Sequence, residues 1–350
     1  MLVQIPSYIE LGSWSSTGKF ENAAKEFHMF HSIMIPLLAG LAVFLFGMKV
    51  MEIAMQRWAG PYLKGILEKF TETPLRGMVT GTVMTALLQS SSALTALTIS
   101  LVNARLLTFP RTLGIILGTN IGSCLTTELI SLHISDAAIP ILLTSIGICG
   151  VAWLIPDGIV QSRSSAAGSL HAIRYLTMAA AGFAAVLMGM EIMSSIVPTL
   201  QTTGFYSWFL ENASRSLIWG VVAGACLTAI IQSSAASIAI AMGLASAHAI
   251  SVELGIAIIL GANIGTCLTA FIASIGGSRS GRFVAWSHFL LNAFGALLFF
   301  PLIWMMKDMA LLLSDIPSVQ LAHVQTFYNV ACSLLALPFC YLPVWKRWET

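Results

Sequence analysis

Thr85-Ala86-Leu87-Leu88-Gln89-Ser90-Ser91-Ser92-Ala93 sets an amide and three hydroxyls in a row within an apolar region, and the chain repeats it as Thr228-Ala229-Ile230-Ile231-Gln232-Ser233-Ser234-Ala235-Ala236. The spacing of 143 residues also carries Leu117-Gly118-Thr119-Asn120-Ile121-Gly122-Ser123-Cys124-Leu125-Thr126 onto Leu260-Gly261-Ala262-Asn263-Ile264-Gly265-Thr266-Cys267-Leu268-Thr269 without a gap. Twenty of the 46 positions from 81 to 126 are identical to their counterparts from 224 to 269, too many for two apolar segments of similar composition. The chain is an internal repeat.

Outward from these blocks, composition names the solvent. With 57% hydrophobic and 9% charged residues among 350, too few charges exist to coat a soluble domain, so an integral membrane protein is expected. A net charge of +2 says little about partners, since what counts in a membrane protein is which loops hold the charges; no nucleic-acid partner is expected. The six cysteines lack metal-ligand spacing and read as small buried residues, with no transition-metal site.

Residues 1–28 are polar and lack the basic start and apolar core of a signal peptide. Spans are expected at 29–51, 112–131, 138–156, 175–197, 253–275, 284–306 and 321–345, each near the ~20 residues that cross a bilayer. The polar segments 77–102 and 215–246 are expected as re-entrant hairpins with Gln89–Ser92 near the first tip, because irregular polar backbone at membrane depth survives only against protein or a watery cavity. The Gly118–Gly122 interruption is expected to unwind its helix. The division is a polar N-terminal segment 1–28, a first membrane repeat 29–156, a cytoplasmic linker 157–174, a second repeat 175–306, and a final helix with a short tail, 307–350.

Charge tests this topology. With the loop after the first span in the cytoplasm, twelve lysines and arginines, among them Arg57, Lys64, Arg163 and Arg279, lie inside, against Lys19, Lys25, Arg215 and Lys307 outside; Lys49 stays within the first span. The N-terminus is then outside, the C-terminus cytoplasmic, and the hairpins enter from opposite faces. The expected fold is an all-α integral membrane protein, an inverted-topology repeat with two re-entrant helical hairpins and broken transmembrane helices, the architecture of secondary transporters. Half-helix N-termini offer unpaired N–H groups to an anion, and hydroxyls and freed carbonyls hold coupling cations. Since neither polar block contains lysine or arginine, cations bound with the anion are expected to be part of the site.

The paired Gln-Ser-Ser motifs, each followed 31 residues later by the asparagine of Gly-x-Asn-Ile-Gly-[Ser/Thr]-Cys-Leu-Thr, resemble the sodium-dependent phosphate cotransporter family over roughly residues 35–335. The resemblance implies sodium-coupled transport of inorganic phosphate across the cytoplasmic (inner) membrane by alternating access, with no enzymatic activity and no cofactor besides Na⁺ as coupling ion. It implies phosphate binding by Gln89, Ser90, Ser91, Ser92, Gln232, Ser233 and Ser234. For Na⁺ it implies Gln89, Ser92, Thr119, Asn120, Gln232, Asn263 and Thr266. A His-x-x-Phe-Asn-like element of the family has counterparts in His288–Asn292 and Gln325–Asn329, so His288, Asn292, Gln325 and Asn329 are expected in support. Ala235 opposite Ser92 and Ala262 opposite Thr119 make the halves unequal. Relatives append a PhoU-like regulatory domain; for this chain a separate PhoU-like partner is the expectation.

Other readings stay open. The chemistry fits a sodium-coupled carrier of sulfate or a carboxylate nearly as well. An intramembrane serine hydrolase would pair Ser91 with His288 as base, but no Gly-x-Ser-x-Gly turn is present and a nucleophile needs no duplication. His288 itself reads more readily as a packing histidine bonded to neighbouring backbone. Among the acidic residues, Glu52, Glu128 and Glu253 read as interfacial, while Glu191 lies deeper. Trp345 and Trp348 beside Lys346 and Arg347 read as an interfacial anchor.

Overall fold

A computed structural model describes the backbone of residues 16–132, 135–156 and 164–348. The described residues are helical, with no β-strand among them. The first repeat comprises α1 (Ser16–Phe70), α2 (Pro74–Leu88), α3 (Ser91–Asn103), α4 (Phe109–Ser131) and α5 (Ala138–Leu154). The second comprises α6 (Ser164–Ser194), α7 (Gly204–Arg215), α8 (Ile218–Ile231), α9 (Ser234–Ser246), α10 (Val252–Gly265), α11 (Cys267–Ser274), α12 (Arg279–Phe299) and α13 (Ile303–Leu311), and α14 (Pro317–Ala336) closes the chain.

Among the described residues, five helical stretches are long and apolar enough to cross a membrane: His31–Phe70, Phe109–Ser131, Gly168–Leu200, Val252–Ser274 and Arg279–Leu311. Of the other two expected spans, α5 has 17 residues, and α14 dilutes its apolar surface with Gln320, Gln325 and Asn329. The largest departure is α1, whose 55 residues continue well past the expected end at Met51. Arg57, Lys64, Glu68 and Lys69, read as a charged loop, extend this helix, and Lys64 and Glu68 form an i, i+4 pair along it. Helix α6 likewise begins within the expected linker, and positions 157–163 lie outside the described residues.

The expected unwinding at Gly118–Gly122 does not occur. Helix α4 runs unbroken through it, and only the second copy shows a joint, at Thr266 between α10 and α11. The physical reason lies in packing. Each glycine of α4 touches the backbone of α2: a Cβ on Gly118 would collide with the Met78 carbonyl and Thr82 N, and one on Gly122 with the Thr82 carbonyl. Gly261 and Gly265 meet α8 the same way, at the Val221 and Ala225 carbonyls, and Gly40 and Gly189 bring α1 against α6. Small residues at one-turn spacing let apolar helices approach closely, where lipid offers no hydrophobic drive to hold them together. The glycines therefore close seams rather than open helices.

These seams pair α1 with α6, α2 with α4 and α8 with α10, while α14 lies across α4 and α9 and joins the halves. The main core gathers Ile238, Ile256, Ile259, Leu321 and Tyr328 around the second repeat and reaches Phe44 of α1. Four cysteines are buried as expected, but Cys149 is half-buried and Cys226 is exposed. Trp345 packs edge-on against Phe109, and the side chain of Trp348 lies outside the described residues.

Candidate functional site

The two polar motifs form matching helix–turn–helix tips. Gln89 caps the C-terminus of α2 with φ 54° and ψ 27°, and Gln232 caps α8 with φ 58° and ψ 26°. Both are left-handed, a conformation that costs a non-glycine residue about 1–2 kcal/mol. The next residue N-caps the following helix: Ser90 Oγ accepts from Ala93 N and Ser233 Oγ from Ala236 N, both at 3.2 Å. Among the described residues the other left-handed non-glycine positions, Arg105 and His248, stand 143 apart like the glutamines, so the repeat is copied in backbone as well as in sequence.

Such a tip has two electrical ends. The first-turn N–H groups of α3, at Ser91 and Ser92, have no intrahelical acceptor, nor do those of α9 at Ser234 and Ala235, so these termini favour an anion. The final carbonyls of α2 and α8 are the negative ends and favour a cation.

Both tips line one cavity of about 380 Å³. Gln89, Ser90, Ser91 and Ser92 meet Gln232, Ser233, Ser234 and Ala235 there, with Thr266 from the joint between α10 and α11. Eight expected site residues are thus brought together from positions far apart in the chain. Ser123, Thr126 and Thr269 also line the cavity, as do Lys49 and Glu52 of α1. Ser123 and Thr126 follow Asn120 at three-residue steps on one face of α4, and Thr266 and Thr269 are their repeat counterparts; that helical spacing was available in the sequence. Glu52, expected at an interface, lies instead in the cavity wall, where Lys49 Nζ stands 3.0 Å from its Oε2 and Gln56 Nε2 donates to its Oε1 at 2.9 Å.

Thr119, Asn120, Asn263, His288, Asn292, Gln325 and Asn329 do not line the cavity. They are buried. Thr119 donates to the Ile116 carbonyl in its own helix. Asn120 Nδ2 donates to Asn292 Oδ1 at 3.1 Å, and its Oδ1 lies 3.0 Å from His288 Nε2. His288 thus bonds a side chain on another helix, not the neighbouring backbone expected for it. Asn292 and Asn329 make matching contacts: each amide donates to a cysteine one helix away, Cys267 and Cys124, at 3.4 Å, and to the carbonyl of residue i−4. These residues hold α4, α12 and α14 in register behind the cavity wall.

Outside the cavity, Glu128 accepts from Thr326 Oγ1 at 2.5 Å and lies 3.1 Å from His323 Nδ1, tying α4 to α14. Glu253 pairs with Lys307 at 2.5 Å, and Glu191 is exposed on the surface of α6.

Comparison with known proteins places this geometry. The profile of the Na⁺/Pi-cotransporter family matches residues 43–195 and 185–316. An uncharacterized protein of Bacillus subtilis, YqeW, is 29% identical over 313 residues, 89% of this chain and 95% of that protein. The putative inorganic phosphate export protein YjbB of Escherichia coli K12 is 26% identical over 308 residues, 87% of this chain and 53% of that protein, so this chain spans about half of YjbB's length. Human sodium-dependent phosphate transport protein 2B is 33% identical over 103 residues, 28% of this chain and 15% of its own. No solved structure matches.

Proposed function

The chain belongs to the Na⁺/Pi-cotransporter family, and on that premise we propose that it is a Na⁺-coupled carrier of inorganic phosphate, a multi-pass protein of the cytoplasmic membrane. The observation that carries this reading is the convergence of both Gln-Ser-Ser tips on one cavity. In the proposed site the first-turn N–H groups and hydroxyls of Ser91, Ser92 and Ser234 bind phosphate oxygens, with Gln89, Ser90, Gln232 and Ser233 completing the cradle. Na⁺ is held by the carbonyl ends of α2 and α8 with hydroxyls of Ser92, Ser123, Thr126, Thr266 and Thr269, all within reach of a hard, oxygen-seeking ion. Asn120 and Asn263 position this wall from behind.

The repeats are read as inverted, with the tips re-entering from opposite membrane faces, the N-terminus outside and the C-terminus in the cytoplasm. The cavity then lies near the midplane, and rocking one repeat against the other exposes it to each side in turn. Sodium has an energetic role. Phosphate near pH 7 carries about −1.5 to −2 charges, taking its second pKa as that of a phosphate ester. Entry against ~100 mV, inside negative, costs about 3–5 kcal/mol. Two co-transported Na⁺ cancel that charge and add their gradient. Flux follows the combined gradients, which accommodates relatives named for transport and for export. The hydrolase reading loses its base, because His288 is outside the wall that holds Ser91 and its Nε2 is engaged by Asn120.

The test is phosphate flux in proteoliposomes with and without a Na⁺ gradient, for wild type and Gln89→Ala. Na⁺-driven accumulation at least tenfold above the gradient-free level, lost in Gln89→Ala, is expected. Folded wild-type protein that moves sulfate or a carboxylate, but not phosphate, would overturn the substrate.

A further inference from the structure

Beside Leu45, Met48, Ile231 and Ala235, the cavity wall carries hydroxyls and amides, and the charged side chains among its described residues are Lys49 and Glu52. Both belong to the stripe Leu45, Met48, Lys49 and Glu52, spaced i, i+3, i+4 and i+7 along α1. Lys49 lies near the end of the apolar part of the helical stretch His31–Phe70, just before the turns that carry Arg57, Lys64, Glu68 and Lys69. A charge near the end of a span is kept where it meets water or a watery cavity. Lys49 stands at the rim, between this stripe and the outward-facing Phe46 and Ile53.

Glu52 is anchored on both oxygens, one by Gln56 and one by the ammonium, and its side chain is 17% exposed against 63% for Lys49. An ammonium has three donors, and Glu52 takes one. The fold does not require this cation. The resemblance that runs from Ala39–Gly40 to Gly47–Met48 and from Ala181–Gly182 to Gly189–Met190 continues to Glu191 opposite Lys49, so the same place in the repeat accepts the opposite sign.

We propose that Lys49 is an anion-binding residue of this cavity. Its ammonium, steered by Glu52, contacts the oxyanion held between the two tips and supplies the fixed positive charge that neither polar block contains. This rests on the phosphate-carrier reading and deepens it, since a point charge beside the tips favours the divalent over the monovalent form of phosphate. As a plain surface pair, Lys49–Glu52 would add little to stability and nothing to transport.

The experiment measures Na⁺-driven phosphate uptake, KM and maximal rate separately, in proteoliposomes of wild type, Lys49→Gln, Lys49→Arg and the charge swap Lys49→Glu with Glu52→Lys. Thermal unfolding in detergent serves as the folding check. The expected result is a KM raised at least tenfold in Lys49→Gln with a smaller change in maximal rate. Lys49→Arg recovers most of that loss, and the swap unfolds like wild type yet keeps the raised KM. A KM within about twofold of wild type in Lys49→Gln, or full recovery in the swap, overturns the assignment and leaves the pair structural. If Lys49→Gln does not fold, the KM of the arginine and swap variants decides in the same way. A wild type without phosphate uptake sinks the carrier reading and this inference with it, whereas active wild type with indifferent variants sinks only the inference.

Discussion

Thr126 donates to Gln89 Oε1 at 2.8 Å, across from α4 to the first tip, whereas its counterpart Thr269 donates at the same distance to the Thr266 carbonyl one turn back. Asn120 reaches α12 through Asn292 and His288, whereas Asn263 donates to the Ile259 carbonyl of its own helix. Ser90 and Ser92 hydroxyls lie 3.3 Å apart, and Ala235 has no hydroxyl to match. The division continues to the flanks. Glu128 joins His323 and Thr326 on α14, while at the equivalent places of the other half Phe271 stacks edge-on with Trp286, 5.1 Å between ring centroids, and near Phe289. One backbone motif thus carries two kinds of wiring. Beyond the cysteine contacts that both copies share, the first copy is tied across helices by Thr126 and Asn120. Thr269 and Asn263 of the second turn back to their own helices, and its flank is packed by aromatic rings.

The difference bears on motion, because local stability follows the contacts that an opening must break. The second tip has fewer to break. The sharpest way to break this comparison is to remove the buried asparagines. Asn120→Leu strands His288 Nε2 and Asn292 Oδ1 away from water, while Asn263→Leu frees only a carbonyl already in a helical ladder. Interhelical hydrogen bonds in membrane proteins average about 0.6 kcal/mol each, but orphaned buried partners add to that, so Asn120→Leu is expected to cost about 2 kcal/mol more. Equal losses in thermal or chemical unfolding would remove the asymmetry.

A smaller effect comes from the strained glutamines. Glycine adopts the left-handed region freely, so Gln232→Gly is expected to stabilise the protein by about 1 kcal/mol. Gln89→Gly gains the same but gives up the bonds to Thr126 and the Ala86 carbonyl, and is expected near zero. Both should impair phosphate flux, since both side chains line the cavity. A stabilised but inactive Gln232→Gly in paired unfolding and flux assays would mark the strain as held for function.

Much of this was legible in the sequence because a duplication writes its register twice. Gln89 with Gln232, and Ser123 with Thr266, could be aligned without coordinates, and the cavity joins both pairs. What stayed hidden depends on packing. Glycines around Asn120 weaken an isolated helix, and only the backbone of α2 lying against them shows why α4 stays intact. Charges from Arg57 to Lys69 look like a loop when the criterion is apolar length, yet a helix extends beyond a bilayer at no cost once its residues meet water. Lys49 and Glu52 lie far in sequence from either motif, and the fold of α1 alone sets them beside both tips.

The finest division between the halves is at the threonines. Thr126→Val keeps the shape of the side chain and removes the donor on Gln89 Oε1, a loss of about 0.6 kcal/mol, near the average for a bond between membrane helices. Thr269→Val removes a hydroxyl that only returns to its own helix, where such back-bonding is slightly unfavourable, so it is expected to be neutral. Each pair would be measured by unfolding midpoint in one detergent, with hydrogen exchange followed over 85–93 and 228–236. In wild type the second tip is expected to exchange faster. Thr126→Val should bring the first tip toward the second, and Thr269→Val should leave the gap as it was. If Thr126→Val changes neither the midpoint nor the exchange of the first tip, the Gln89 contact does not restrain it, and the two tips differ in composition alone.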